Sequence, residues 1–171
     1  MKNYLLIFFV SISSICFSQS LRKLEKSALK DAELVSQASL QRDYNLILKH
    51  THPKIVDTYG KDDLISAMED IYRTMNAQQI KILSSEVDDV TEVIEENDEY
   101  RCLVKNTIKM DFNGRKITLK SSLFGFYDQE KEQWYFIESN KLLNDEDTQR
   151  LFPDFKTEIK IPADEQIAED I

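Results

Sequence analysis

Two alternating segments joined by Asn113-Gly114, YRCLVKNTIKMDF and RKITLKSSLFGFY, constrain the fold of this chain more than any other feature. A two-residue type I′ turn needs positive φ at both central residues, which Asn and Gly tolerate at little cost. The turn then sets the register. Phe112 faces Arg115, Met110 faces Ile117, Ile108 faces Leu119, Val104 faces Leu123 and Tyr100 meets Tyr127. One face is therefore almost wholly apolar, while Lys109 with Thr118 and Lys105 with Ser122 fall on the other. On the apolar face Asn106 lands opposite Ser121, and Cys102 opposite Gly125. A polar pair beside a small pair on such a face is the pattern of a lined pocket. The same pattern arises when Asn106 and Ser121 hydrogen-bond each other in a filled core and Gly125 marks a bulge or bend. Both readings stand at this level.

The segments before the hairpin read as helices. Leu21, Leu24, Ala28, Ala32 and Val35 recur at spacings of three and four, with lysines and acids between them. Asp43 is a good N-cap for a short helix from Tyr44 to about Lys49. Pro53 fits the first turn of a helix running to about Tyr59 and ended by Gly60, with Thr51 or His52 near its cap. A further helix carries Leu64, Met68, Ile71, Tyr72 and Met75 as its apolar stripe and fades near Asn76. From Ile80 the period becomes two: Ile80 to Val87 and Val90 to Ile94 read as one interrupted strand or two short ones. Trp134 to Ser139 reads as a third strand after the polar loop Asp128–Gln133. Helices followed by a meandering antiparallel sheet make an α+β fold. From Asn144 onward the chain is less regular: LFPDF and TEIKIP suggest an apolar segment packing back, and ADEQIAEDI is expected to fray.

Residues 1–18, MKNYLLIFFVSISSICFS, read as a cleaved export signal. The apolar run from Tyr4 to Ile15 falls short of the ~20 residues of a membrane span. Cys16 and Ser18 are small residues at −3 and −1 of a cut before Gln19. A lipidated Cys16 is disfavoured because the large, branched Ile15 precedes it. Domain boundaries follow: a signal at 1–18, an α+β domain at 19–143 and an acidic extension at 144–171. The expected location is the periplasm or the exterior. Without Lys2 the remaining chain has 21 basic residues, one fewer than 22, against 31 acidic. Such a balance argues against nucleic acid, whose phosphates demand a basic patch, and against an electrostatic grip on anionic lipid. Only Cys102 survives the cut, so no intrachain disulfide is expected, and a Cys/His zinc site has too few ligands.

The order of a helix, a short helix after Asp43, the HPKIVDTYG connection, an amphipathic helix and long strands ending in WYFIE resembles the nuclear transport factor 2-like superfamily, in particular its secreted Bacteroidetes-type members. The resemblance covers about residues 20 to 140 and rests on order and pattern, without a catalytic motif. It implies a strongly curved antiparallel sheet closed into a cone, with the N-terminal helices packed in its concave face and a hollow that often holds a small molecule. Some members are isomerases, dehydratases or hydrolases, and many others only bind or dimerise, so fold alone does not choose a function. The resemblance makes Asn106, Ser121, Tyr100, Tyr127, Cys102, His52 and Tyr59 the candidates for lining that hollow.

Acid–base chemistry in such a hollow would need a buried carboxylate or histidine near hydroxyl donors. Glu138 and Asp57 are the candidate bases and Tyr100, Tyr127 and Tyr59 the candidate donors, but none aligns with a family catalytic position. Both histidines of the chain lie in HTHP, and a His-x-His metal site lacks a marked third ligand. His50 and His52 therefore read as a helix junction, with one of them free to close the mouth of the hollow. No phosphate loop, dinucleotide fingerprint, HExxH, GxSxG or calcium loop appears, so no metal and no cofactor is expected. The expected function is non-catalytic binding of an apolar or amphipathic small molecule, or of a protein partner. An isomerase- or dehydratase-like enzyme and an inhibitor- or immunity-type partner protein are the alternatives. Leu103 against Phe124, and Phe126 beside Arg101, put apolar groups on the other face and suggest a homodimer through the sheet.

Overall fold

The computed structural model describes residues 2–91 and 93–168, with side chains from Leu21 onward. The export signal expected at residues 1–18, Cys16 included, lies outside the residues whose side chains are described. Four helices come first: α1 (Lys2–Gln41), α2 (Tyr44–Lys49), α3 (Pro53–Tyr59) and α4 (Lys61–Ala77). Five strands follow: β1 (Ile80–Val90), β2 (Ile94–Glu96), β3 (Glu99–Phe112), β4 (Arg115–Asp128) and β5 (Gln133–Glu138). The chain ends in α5 (Ser139–Asn144), α6 (Glu146–Leu151) and β6 (Glu165–Ala168). The fold is α+β, as the sequence implied. Among the described residues no helix is long and apolar enough to cross a membrane.

Local chemistry sets the helix ends. The Asp43 carboxylate accepts the N–H of Leu46 at 3.1 Å and starts α2. His52 Nδ1 accepts the N–H of Lys54 at 3.2 Å, and Pro53 opens α3 behind it. Gly60 then ends α3 at φ 79°, in a region that favours glycine. Asn113 at φ 53° and Gly114 at φ 87° make the turn that the sequence requires. Its register is the expected one, from Phe112 opposite Arg115 to Arg101 opposite Phe126.

Strand order is β1-β3-β4-β5, all antiparallel, with β2 on β3 and β6 on β4. The interruption expected near residue 88 resolves into bulges: the pairing of β1 with β3 shifts between Ile82 and Ser84 and again between Val87 and Asp89. Such shifts bend a strand and increase its twist.

The sheet is apolar on both faces. On the first, Leu24, Ala28 and Ala32 of α1 share a core with Cys102, Val104, Trp134 and Phe136, and Leu21 and Val35 pack against it. The helical spacing of small residues lets the helix backbone approach the sheet closely. On the second face Leu103, Phe124, Phe126, Ile137 and Leu142 form a core of their own. Its cover is Ile55 of α3 with Phe152, Phe155, Ile159 and Ile161 of the C-terminal extension. This is the surface on which the homodimer expectation rests. Leu103 and Phe124 are fully buried within one chain, because the extension supplies the apolar partners that a second copy would otherwise provide. Burial of each side chain stabilises the fold by roughly 2–3 kcal/mol.

A buried charge clasps that extension to the sheet. Arg101 Nη1 donates to Lys156 O at 2.9 Å and lies 3.5 Å from Glu96, and Nη2 is 2.8 Å from Glu99. The guanidinium also sits 5.5 Å from the Phe126 ring centroid and 5.9 Å from that of Phe155. Glu96 in turn accepts the Glu158 N–H at 3.0 Å and bonds the Thr157 hydroxyl. The stretch expected to fray supplies β6 instead: Glu165 to Ala168 pair with Lys120 to Ile117. All four residues stay exposed, as befits an edge strand, and Lys120 Nζ lies 3.4 Å from Glu165 Oε2 across the pair.

Candidate functional site

HTHP closes the free edge of β5. His50 is buried, and its Nδ1 lies 3.0 Å from Trp134 O. A carbonyl only accepts, so Nδ1 carries the hydrogen. His50 O accepts the Phe136 N–H at 2.7 Å, and Gln133 Nε2 donates to Lys49 O at 2.7 Å. The Asp31 carboxylate accepts the Trp134 N–H at 3.0 Å and lies 4.0 Å from His50 Nδ1. Trp134 Nε1 donates to Ser27 Oγ at 2.9 Å. The edge of an unpaired strand, and the one tryptophan, are thus fixed from α1 and the α2–α3 junction.

His52 points to the other core. Its ring lies edge-on to Phe126 and Phe152, with centroids 5.0 and 4.9 Å away, and Tyr135 stands 6.3 Å off. Burial among these rings, and secondly the Lys54 charge, lower its pKa to about 4; Glu99 opposes this weakly. The two histidines therefore serve opposite faces. Among the described residues no group of three His, Cys, Asp or Glu side chains could hold a metal ion.

The hairpin pairs that the sequence singled out occupy the first face. Ser121 Oγ donates to Asn106 Oδ1 at 3.2 Å. Cys102 and Gly125 are opposite because Trp134 crosses there: a Cβ on Gly125 would lie 2.8 Å from Cys102 Sγ and 3.1 Å from Trp134 Cε3. Burial pushes the Cys102 thiol well above its usual range, which makes it a packing residue and a poor nucleophile. Tyr100 and Tyr127 meet at 6.4 Å, and Tyr127 meets Trp134 at 5.1 Å. Of the remaining candidates, Tyr59 is exposed, Asp57 is exposed, and Glu138 is exposed in an ion pair with Lys141. The structure gathers Asn106, Ser121, Cys102, Tyr100 and Tyr127 on one face and leaves His52 and Tyr59 elsewhere.

That face divides along its length. Val104 and Cys102 are fully buried under α1. Next comes the row Val87–Asn106–Ser121, with Asn106 at 9% exposure. Beyond it, the rows Ser85–Ile108–Leu119 and Ile82–Met110–Ile117 are half-buried throughout. Ser36 of α1 meets the boundary, its Oγ 2.8 Å from both Ser85 O and Ser85 Oγ. So the far half carries half-buried apolar side chains beside Asn106, Ser121, Ser85 and Ser36, with Arg115 in the last row, opposite Phe112. Helix α4 ends beside this half, since Ala77 leads directly to Ile80. Its Leu64, Met68, Tyr72 and Met75 are half-buried and none is fully buried. Tyr72 OH donates to Ser39 O at 2.6 Å and ties α4 to α1.

Ser36, Ser85 and Asp31 escaped the sequence reading. Serines at spacings of neither strand nor helix core carry no local signal, and Asp31 looks like any solvated helix acid. A shallow groove of about 170 Å³ lies apart from this face, between Glu25, Lys26 and Leu29 of α1 and Asp88 to Val90 of β1. Compared with known proteins, the chain matches no family model and no curated sequence.

Proposed function

We propose that this protein is an exported, non-catalytic binding module of the nuclear transport factor 2-like type, whose concave sheet face takes an apolar or amphipathic small molecule. The observation that carries the reading is the division of the first face. Its near half is centred on the buried Cys102, Val104, Trp134 and Phe136, whereas in the far half Ile82, Ile108, Met110, Ile117 and Leu119 are all half-buried, next to the hydrogen-bonded pair Asn106 and Ser121. A contiguous, partly covered apolar surface next to a few convergent polar groups is the usual make-up of a ligand site. Supporting a binding role, His50, His52 and Cys102 are each engaged in packing or in backbone hydrogen bonds.

The test is uptake of N-phenyl-1-naphthylamine, an apolar dye that fluoresces out of water, by the purified protein. Saturable uptake is expected, lost in Leu119→Glu, while Leu83→Glu on the exposed outer side leaves it intact. Absence of saturable uptake, or equal loss in both variants, refutes the reading.

A further inference from the structure

We infer that His52 is an acid-sensitive latch on the C-terminal extension: a proton taken up at its Nδ1 frees the extension and opens the second face. One ring does two jobs at this place. Its Nδ1 accepts the Lys54 N–H at 3.2 Å and so caps α3. A backbone N–H only donates, so Nδ1 offers the lone pair and the ring's own hydrogen sits on Nε2. A further proton can go only to Nδ1, where it turns the cap acceptor into a donor facing a donor. Acid thereby removes the cap of α3, whose Ile55 covers the second face together with Phe152, Phe155, Ile159 and Ile161. The same ring fills the seam between extension and sheet, edge-on to Phe152 at 4.9 Å and to Phe126 at 5.0 Å.

The groups around the ring favour its neutral form while the extension is closed. On α3, Lys54 is a cation, and its Nζ stands 5.0 Å from the Phe152 ring centroid. On β3, Glu99 would favour the proton, but Arg101 Nη2 holds it at 2.8 Å and brings a second cation. On β5, Tyr135 stands 6.3 Å away, its hydroxyl accepting from Lys131 Nζ at 2.9 Å. From β4 and the extension come the phenyl rings of Phe126 and Phe152. Burial, and secondly Lys54, hold the pKa at about 4, against an ordinary 6.5. A closed state that binds the proton less well than the open one is lost as pH falls from 6.5 toward 4. The extension is the part that yields. It has no helix or strand between Leu151 and Glu165, and side chains tie it down: Arg101 to Lys156 O, and Glu96 to Thr157 and Glu158.

The two pKa values make the opening about 30 times more frequent at about pH 5 than at about pH 7.5, and solvent screening at this half-buried ring brings that to about tenfold. Native-state hydrogen exchange, corrected for intrinsic rates, reads it at the bonded amides of Phe155, Glu158 and Ile159. Their protection is expected to fall about tenfold over that range and to stay below that of β3 and β4 at both ends. His52→Asn keeps an acceptor for the cap but does not titrate, and it should abolish the fall. Protection that does not change with pH in the wild type overturns the latch. So does an equal fall in His52→Asn, which would assign the effect to the carboxylates of the Arg101 clasp. Extension amides as well protected as those of β3 and β4 would mean release by global unfolding alone, and would overturn it too. Should His52→Asn fail to fold, His52→Gln takes its place in the same comparison.

Discussion

Gly125→Ala puts one methyl group where the first core has no room. Gly125 faces Cys102 on one side and Phe136 on the other, under the Trp134 ring. The new Cβ would stand 2.8 Å from Cys102 Sγ, 3.1 Å from Trp134 Cε3 and 3.3 Å from Phe136 Cε1. None of these neighbours can yield cheaply. Trp134 is pinned at its backbone by Asp31 and His50 and at its ring by Ser27, and Cys102 is fully buried. Overpacking of this kind costs about 1–3 kcal/mol, and three contacts below 3.4 Å place it at the upper end. Loss of glycine freedom in the unfolded chain returns about 0.5–1 kcal/mol. The net expectation is about 2 kcal/mol of destabilisation, or a Tm lower by about 4–8 °C. Urea unfolding followed by the fluorescence of Trp134, the sole tryptophan, measures it directly. Cys102→Ala removes the closest atom, so the double variant should be about 1 kcal/mol more stable than the sum of the single changes. Additive effects, or a Gly125→Ala protein as stable as wild type, would refute the account of why this pair is small.

Three further outcomes follow from the second face. Arg101→Met strips Glu96 of its cation and leaves Lys156 O unpaired; it should cost about 2–3 kcal/mol and speed amide exchange across residues 152–161. Unchanged exchange there would show that the clasp holds nothing. His52 is kept neutral in the fold, with a pKa of about 4 against an ordinary 6.5. Its contribution is therefore complete above about pH 6.5 and lost as pH falls toward 4, where the unfolded chain binds the extra proton. Screening at this half-buried site reduces the effect to ~1–2 kcal/mol, and His52→Asn, which retains an N-cap acceptor, should flatten the pH–stability curve in that window. Truncation after Leu151 uncovers Leu103, Phe124 and Phe126, and light scattering should report self-association of the shortened chain but not of the full one.

The hairpin was legible because one rule governs it: a turn that demands positive φ fixes every cross-strand pair up to Arg101 and Phe126. Helix ends were legible for a similar reason, since Asp43, Pro53 and Gly60 act on their own neighbours. What depends on distant residues was not. Leu103, Phe124 and Phe126 alternate correctly for a second face, but nothing local tells whether a second copy or the same chain covers it. Phe152, Phe155, Ile159 and Ile161 give the answer only once the extension is folded back. HTHP is the helix junction that the sequence implied, with His50 closing α2 and His52 capping α3. What stayed hidden is that the turn into the His52 N-cap sends the two rings to different cores, because those cores are built by residues far along the chain.

Where a partner can attach follows from how the other surfaces are closed. Adding a strand to the sheet edge is obstructed at β5, whose Trp134 and Phe136 amides are taken by Asp31 and His50. The free stretch of β4 is taken by β6. At β1 two register shifts break the regular spacing that a pairing strand needs, and Ser36 takes the Ser85 carbonyl. The second face is filled by the extension and locked by Arg101. Among the described residues, the far half of the first face keeps apolar side chains in reach of solvent in successive rows, Ser85–Ile108–Leu119 and Ile82–Met110–Ile117. A molecule that covered these rows would complete a core that the chain itself leaves half built, and this is why binding should raise the unfolding temperature of the wild type and not that of Leu119→Glu.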